Sequence, residues 1–469
     1  MKSNFNNDEK HIYLETLGCE KNRVDSEIML AALKKHGFQL VMKPEEAEVI
    51  VINTCAFLTS ASQESIDRIL ALSDHKAEGQ CEKLVATGCL SQRYQGGLLD
   101  EIPELDGLLG SSDFFRIPFL ITQLYENPQH PQILINKKPH YSQYEKQEKL
   151  QSTAKHFAYL KIAEGCSNMC SFCNIPSLRG GFSSRSVSMI IEEMQVMVEN
   201  GVKEINLLSQ DTSSYGKDLA GNVHLATLLR AISEVEGDFW IRLFYAYPNT
   251  FPEEALEIMS DDPRFCRYLD MPFQHINDSV LQKMNRKITQ KKIREKMTQV
   301  RKYMPDLAWR STFIVGFPTE SEENFEELHQ FVAEGHFDHL GVFTYSDEDN
   351  IRSAKWGDPI PNTLKRERKS RLLELQQKIS LSKNETYLGK TLKVLVDGVS
   401  EESDLLLQGR SQYQGPNVDG LVYINEGNAV PQQFNEVEIT DAHPYDLVGR
   451  LVSPREMEKS EYSLPSAKF

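Results

Sequence analysis

Three cysteines crowd one short stretch, Glu164-Gly165-Cys166-Ser167-Asn168-Met169-Cys170-Ser171-Phe172-Cys173. They follow an apolar run, 157–162, that reads as a strand, so the motif lies on the loop beyond a strand end. Thiolates this close on a loop can all turn inward on one metal centre, with no regular element between them. Three such ligands without a fourth cysteine nearby predict a four-iron–four-sulfur cluster with one iron left open. A structural zinc site is usually closed by four protein ligands. A zinc knuckle borrowing a distant ligand, or three unrelated buried cysteines, are the alternatives.

A strand that delivers ligands from its end needs partners at its sides. Beyond 157–162, apolar runs recur at 204–209, 240–247, 268–273, 311–317 and 339–345, with helical stretches between them. One helix, predicted over 187–200, stops at Gly201 as a C-cap glycine would stop it. Short strands joined through helices run parallel. Six βα units predict an open, partial (β/α)6 barrel with its chemistry at the strand C-termini. Upstream, residues 127–155 are polar, carry Pro128, Pro131 and Pro139 and show no apolar period, which predicts a linker between domains.

Before that linker, residues 11–126 read as a separate parallel α/β domain. Its runs 11–18, 48–54 and 83–88 end at Cys19, Cys55 and Cys89. Helices are predicted from Asp25-Ser26-Glu27 to near Gly37 and over 60–75. Ligands of open parallel sheets bind beyond the carboxyl ends of the strands. Cys19, Cys55 and Cys89 are therefore predicted to converge on a second cluster. One cysteine at a strand end is ordinary core packing; three in the same position are not. Cys81 precedes the strand that Cys89 follows, and eight extended residues span roughly 25 Å. It is predicted at the opposite edge, as a non-ligand.

The whole chain has 469 residues, more than one hydrophobic core usually serves. No apolar run approaches the ~20 residues of a membrane span. The polar N-terminus has no hydrophobic signal core, so its eight cysteines are expected as thiols in a reducing cytoplasm rather than as disulfides. The net charge of −16 does not suit a protein that mainly grips phosphate backbones, and it does suit a basic partner.

After a charged, Leu-spaced helix over 364–383, five short runs at 391–396, 405–408, 421–424, 436–440 and 447–452 predict a small OB-like β-barrel spanning 384–454. It holds four basic residues against eleven acidic ones, a poor match for RNA. The tail after Ser453 is expected to be flexible.

The Cys166/Cys170/Cys173 spacing, with Phe172 before the last cysteine, resembles the radical S-adenosylmethionine (SAM) superfamily. That resemblance implies that the open iron chelates SAM and that the cluster cleaves it to a 5′-deoxyadenosyl radical. It further implies cofactor contacts from Phe172, from Gln210 after the second strand, and from Ile314 and Gly316 in the adenine-packing segment Phe313-Ile314-Val315-Gly316-Phe317-Pro318. The common Gly-Gly-Glu is absent at Gln210-Asp211. Arg179 and Arg185, on the loop after the motif, are read either as partners of a cofactor or substrate carboxylate or as solvated charges. Cys266 is read as core packing. His275 is read as a structural hydrogen-bonder, with a base as the alternative.

A three-cysteine N-terminal domain (11–126), a radical SAM core (156–383) and a TRAM-like barrel (384–454) together resemble the methylthiotransferases over nearly the whole chain. The family implies two 4Fe-4S clusters: one generates the radical, and the other carries the sulfur of the methylthio group. One branch modifies adenosine in tRNA, the other the β-carbon of an aspartate in ribosomal protein S-twelve. Gly18-Cys19-Glu20-Lys21-Asn22, Val24-Asp25-Ser26-Glu27, Ile162-Ala163-Glu164-Gly165, Ser209-Gln210-Asp211-Thr212 and Tyr268-Leu269-Asp270-Met271-Pro272-Phe273-Gln274-His275 look like the ribosomal-protein branch. Phe273 replaces a usual leucine, and Asp349-Asn350 interrupt the Glu-Gly-Thr expected after Tyr345-Ser346. The resemblance implies ribosomal protein S-twelve or the small subunit as partner. It also implies an electron donor such as flavodoxin or ferredoxin, a sulfur source, no membrane, and a cytoplasmic monomer. A tRNA enzyme, and a non-catalytic iron–sulfur or zinc module that binds RNA, are the competing readings.

Overall fold

The computed structural model describes residues 10–139 and 148–452. Residues 1–9, 140–147 and 453–469 lie outside the described residues, and with them the tail beyond Ser453.

The N-terminal domain is built on β1 (His11–Thr16), β2 (Gln39–Leu40), β3 (Val49–Thr54), β4 (Lys83–Gly88), β5 (Gly107–Leu109) and β6 (Gln132–Leu134). These pair in the order β2-β1-β3-β4-β5-β6, every pair parallel. Every residue of β3 is buried, as a central parallel strand covered on both faces must be. Val49 and Val51 face one apolar core, Ile50 and Ile52 the other.

Two sequence expectations are corrected here. The linker is not free of structure, because β6 lies inside it and adds the edge strand of this sheet. A strand of three residues is too short to show a period. The first helix, Glu20–Lys35, begins five residues before Asp25, directly after Cys19. Its start carries no side-chain cap, so the usual N-terminal signal is missing.

In the central region β7 (Phe157–Lys161) leads into β8 (Ala163–Glu164), which pairs antiparallel with β9 (Ser183–Ser184). That two-residue pairing closes the neck of the loop that carries Cys166, Cys170 and Cys173. The remaining strands are β10 (Glu204–Leu208), β11 (Trp240–Leu243), β12 (Tyr268–Asp270), β13 (Ala308–Val315) and β14 (His339–Thr344). The sheets β11-β10-β7 and β12-β13-β14 meet through a parallel bridge between Ile241 and Phe265, giving six parallel strands. Leu160, Leu207, Leu243, Leu269 and Phe313 point outward and pack on the helices in the main core. Their neighbours Tyr159, Lys161, Asn206, Arg242, Tyr268 and Asp270 point the other way and are also buried, so the concave side is polar.

The C-terminal region is a closed barrel of β15 (Thr391–Val399), β16 (Leu407–Ser411), β17 (Val422–Glu426), β18 (Phe434–Ala442) and β19 (Leu447–Leu451), in the order β15-β16-β17-β19-β18. Its β16–β17 loop enters the half-barrel from the strand N-terminal side. There Arg242 donates to Gln412 O at 2.8 Å, Tyr268 Oη donates to Asp419 at 2.7 Å, and Asn417 reaches Tyr159 Oη at 3.2 Å. At the rim, Glu204 of β10 accepts from Arg242 at 2.8 Å and from Arg410 of β16. Arg410 and His156 both bind Asp397, at 3.0 and 2.7 Å.

Candidate active site

Gly18, Gly88 and Gly165 each precede a cysteine, and each has a positive φ, +86°, +92° and +73°. The chain must turn sharply at a strand end to aim the next side chain back across the sheet edge, and glycine adopts that conformation without strain. Room is equally tight. A Cβ on Gly18 would lie 2.7 Å from Cys55 Cβ, one on Gly88 2.5 Å from Asn53 Oδ1, and one on Gly165 2.2 Å from Gly181 O. Gly88→Ala is therefore expected to displace Cys89 and lower the iron bound per chain, read by anaerobic iron analysis. Unchanged iron content would show that the turn is dispensable.

Cys19, Cys55 and Cys89 stand at the C-terminal ends of β1, β3 and β4, within electrostatic reach of one another. Burial pushes the Cys55 thiol up to about 12, and the neighbouring Cys89 and Cys19 add to the shift. Burial also raises Cys89, opposed by the Arg179 guanidinium that hydrogen-bonds it. Cys81 lies before the first residue of β4, at the far end of that strand, with its Sγ 3.4 Å from Lys83 O.

Cys166, Cys170 and Cys173 form the second group. Burial pushes Cys166 up to about 11 and Cys173 up to about 12, and both also feel Cys170. Cys170 receives a 3.6 Å hydrogen bond from Arg286, which lies over the ring of Tyr247. All eight cysteines are free thiols. Among the described residues no three His, Cys, Asp or Glu side chains close on a point as tightly as a single metal ion demands. In an iron–sulfur cluster each thiolate binds its own iron, so the sulfurs stand further apart, and two sets of three free thiols with a guanidinium beside each fit that arrangement.

Between the groups runs a buried chain of charge. Lys161 Nζ lies 2.5 Å from both Asp25 Oδ1 and Glu164 Oε2. Arg179 Nη1 lies 2.6 Å from Asp25 Oδ2 and 3.4 Å from Glu164, and its Nη2 binds Asn22 Oδ1. Burial alone would raise the Glu164 carboxyl, but Lys161 and Arg179 outweigh it and hold it well below the usual carboxylate range. Arg179 is thus a buried charge rather than a solvated one; it ties the loop of one cysteine group to Cys89 of the other. Arg185 is likewise engaged, with Lys161 O at 2.7 Å and Glu193 at 2.6 Å.

Phe172 and Ile314 both border one apolar cluster with Phe317 and Tyr345. Gly316 adjoins it, and a Cβ there would lie 2.3 Å from Lys365 Cγ, so the lysine stem already covers that side of the glycine. Gln210 is apart from these three and donates to Glu164, while its Oε1 is buried without a partner. Asp211, beside it, binds Asn168 and Ser214 through Oδ2, both at 2.7 Å, and leaves Oδ1 buried and unpartnered. Cys266 is core. His275 is wholly buried and accepts from Asn277 N at 3.0 Å, a structural role. Sequence alone gives no role to Lys161, which sits within an apolar strand run, or to Arg286, which lies 116 residues from Cys170; Glu164 stands out only by adjoining the cysteine motif.

Three family models match: uncharacterized protein family UPF0004 over 11–110, the radical SAM superfamily over 160–332, and the TRAM domain over 388–452. Among solved structures, the fold is similar to TsrM, a radical S-adenosylmethionine methyltransferase from Kitasatospora setae (TM-score 0.52, 12% identity, 71% of this chain and 72% of that one). The protein named ribosomal protein uS12 methylthiotransferase RimO in Geobacter sulfurreducens is 43% identical over 449 residues, 96% of this chain and 100% of that protein. The chain belongs to the RimO family. Its counterpart of the same name in Myxococcus xanthus is also 43% identical, over 98% of this chain and 95% of that protein. The RimO matches span all three regions of the chain.

Proposed function

We propose that this protein is a methylthiotransferase that adds a methylthio group to the β-carbon of an aspartate in ribosomal protein uS12. The observation that carries the reading is the pair of cysteine groups at two strand edges facing one buried charge chain. Cys166, Cys170 and Cys173 would hold one 4Fe-4S cluster, and Cys19, Cys55 and Cys89 a second. Bound clusters and SAM supply a radical able to break an inert C–H bond, and a sulfur and methyl source for the new group. The chain's own residues prepare that chemistry. Arg286 donates a hydrogen bond to Cys170 Sγ, and the Arg179 guanidinium beside Cys89 opposes the burial that raises that thiol. Gln210 Oε1 and Asp211 Oδ1, buried acceptors without partners beside the Cys166 loop, are placed to take the SAM amine. Phe172 and Ile314 offer an apolar wall, and Gly316 its edge, for the adenine.

The acceptor is a basic protein rather than tRNA. Glu401, Glu402, Asp404, Glu426 and Asp441 are all exposed on the C-terminal barrel, a face that repels phosphate and attracts lysine and arginine. Among the described residues no helix is long and apolar enough to cross a membrane. We place the enzyme in the cytoplasm as a monomer, drawing electrons from a flavodoxin or ferredoxin and sulfur from a separate source.

Mass spectrometry on a strain lacking this gene tests the reading, with ribosomal proteins and tRNA nucleosides taken from the same culture. Loss of a methylthio increment from uS12 with tRNA unchanged is expected. Loss from tRNA adenosine alone would overturn it.

A further inference from the structure

Lys21 stands out from every other charged group near the cysteines. It lies in the first turn of the helix Glu20–Lys35, two residues after Cys19, and is only 7% exposed. Among the described residues its Nζ makes no hydrogen bond and no ion pair; it sits over the ring of Tyr245, 3.1 Å from the centroid. Glu20, Glu164 and Asp270 are within electrostatic reach, yet each is engaged elsewhere. Glu20 accepts from Tyr245 Oη at 3.1 Å, Glu164 is held by Lys161, Arg179 and Gln210, and Asp270 accepts from Arg310 and Tyr245 N, both at 3.1 Å.

An ammonium on a side chain this buried and without a direct ion pair is held at a cost, which the ring face of Tyr245 and the more distant carboxylates offset only in part. Tyr245 is itself built into place. It holds a left-handed φ of +60°, unusual for a residue with a side chain, and its hydroxyl is anchored on Glu20. The arrangement therefore presents a fixed cation to something anionic, between Cys19 on one side and Glu164, next to the Cys166 loop, on the other.

We propose that Lys21 binds the carboxylate of the target aspartate. The inference rests on the uS12 reading above. In an aspartate the carboxylate is one bond from the β-carbon. A cation beside Cys19 would therefore set that carbon against the sulfur-carrying group while offsetting the charge the substrate brings in. A neutral nucleobase would have no use for it.

The test is equilibrium binding of reconstituted holoenzyme to uS12 and to uS12 carrying Asn at the aspartate that mass spectrometry identifies. Wild type is expected to bind the Asp form roughly tenfold or more tighter than the Asn form. Lys21→Met should bind both at the Asn level, and Lys21→Arg should restore much of the preference, with iron content confirming intact clusters in each. A Lys21→Met enzyme that keeps the wild-type preference would overturn the proposal and leave the uS12 reading standing. Equal binding of both forms by wild type would overturn it as well. No binding of either form by wild type would count against both.

Discussion

Replacing Cys166, Cys170 and Cys173 together with alanine is expected to remove about half of the iron and all reductive cleavage of SAM. With two clusters, anaerobic analysis of wild type should give roughly eight irons and matching sulfide per chain. The triple variant should keep roughly four, on Cys19, Cys55 and Cys89. The remaining cluster survives because its ligands come from β1, β3 and β4 of a separate parallel sheet, not from the altered loop. Release of 5′-deoxyadenosine should fall to background. Cleavage retained by the triple variant would refute the assignment, and zinc without sulfide in wild type would refute the enzyme reading itself.

The second large effect lies away from the chemistry. Glu204, Arg242 and Arg410 meet at the rim between the half-barrel and the C-terminal barrel, with side-chain exposures of 0%, 0% and 3%. Breaking a buried pair by removing one charge leaves the other uncompensated, so Glu204→Gln should cost about 3–5 kcal/mol. Denaturant unfolding monitored at the C-terminal barrel would read it as a lower midpoint. The same site makes stability depend on pH. Burial alone would raise Glu204 and Asp397, but Arg410, with Arg242 and His156, outweighs it and holds both below their usual carboxylate range. Their contribution is thus complete above that usual range and lost as the pH falls through the depressed values. Wild type should weaken steeply only in strong acid, and Glu204→Gln should flatten that slope. An unchanged slope would place the stabilisation elsewhere.

Much of this was legible in the sequence, because short-range spacing and strand-end placement are local signals. The loop of Cys166, Cys170 and Cys173, and the three strand ends at Cys19, Cys55 and Cys89, could be read from apolar runs alone. Arg179 could not. Its neighbours in sequence make it a loop charge, and only the packing of Asp25 and Asn22 against it turns it into a buried tie. β6 escaped for a different reason: three residues with one exposed side chain carry too little pattern. Lys21 was visible as part of a motif, but its lack of a partner is a property of three dimensions.

The loop that the C-terminal barrel pushes into the half-barrel carries a lesson for engineering. Asp419 is shared by Tyr268 and Arg310, and Arg310 in turn holds Asp270, whose backbone partner Tyr245 carries Lys21 on its ring. The C-terminal barrel is therefore not a cassette that can be exchanged for one from a relative with a different target. A chimera joined in the helix Asn362–Glu385 would import a foreign loop into the floor beneath the reacting centre. Grafts should carry Asp419 and Asn417 with their host strands, or leave them untouched and recode only the outer acidic face.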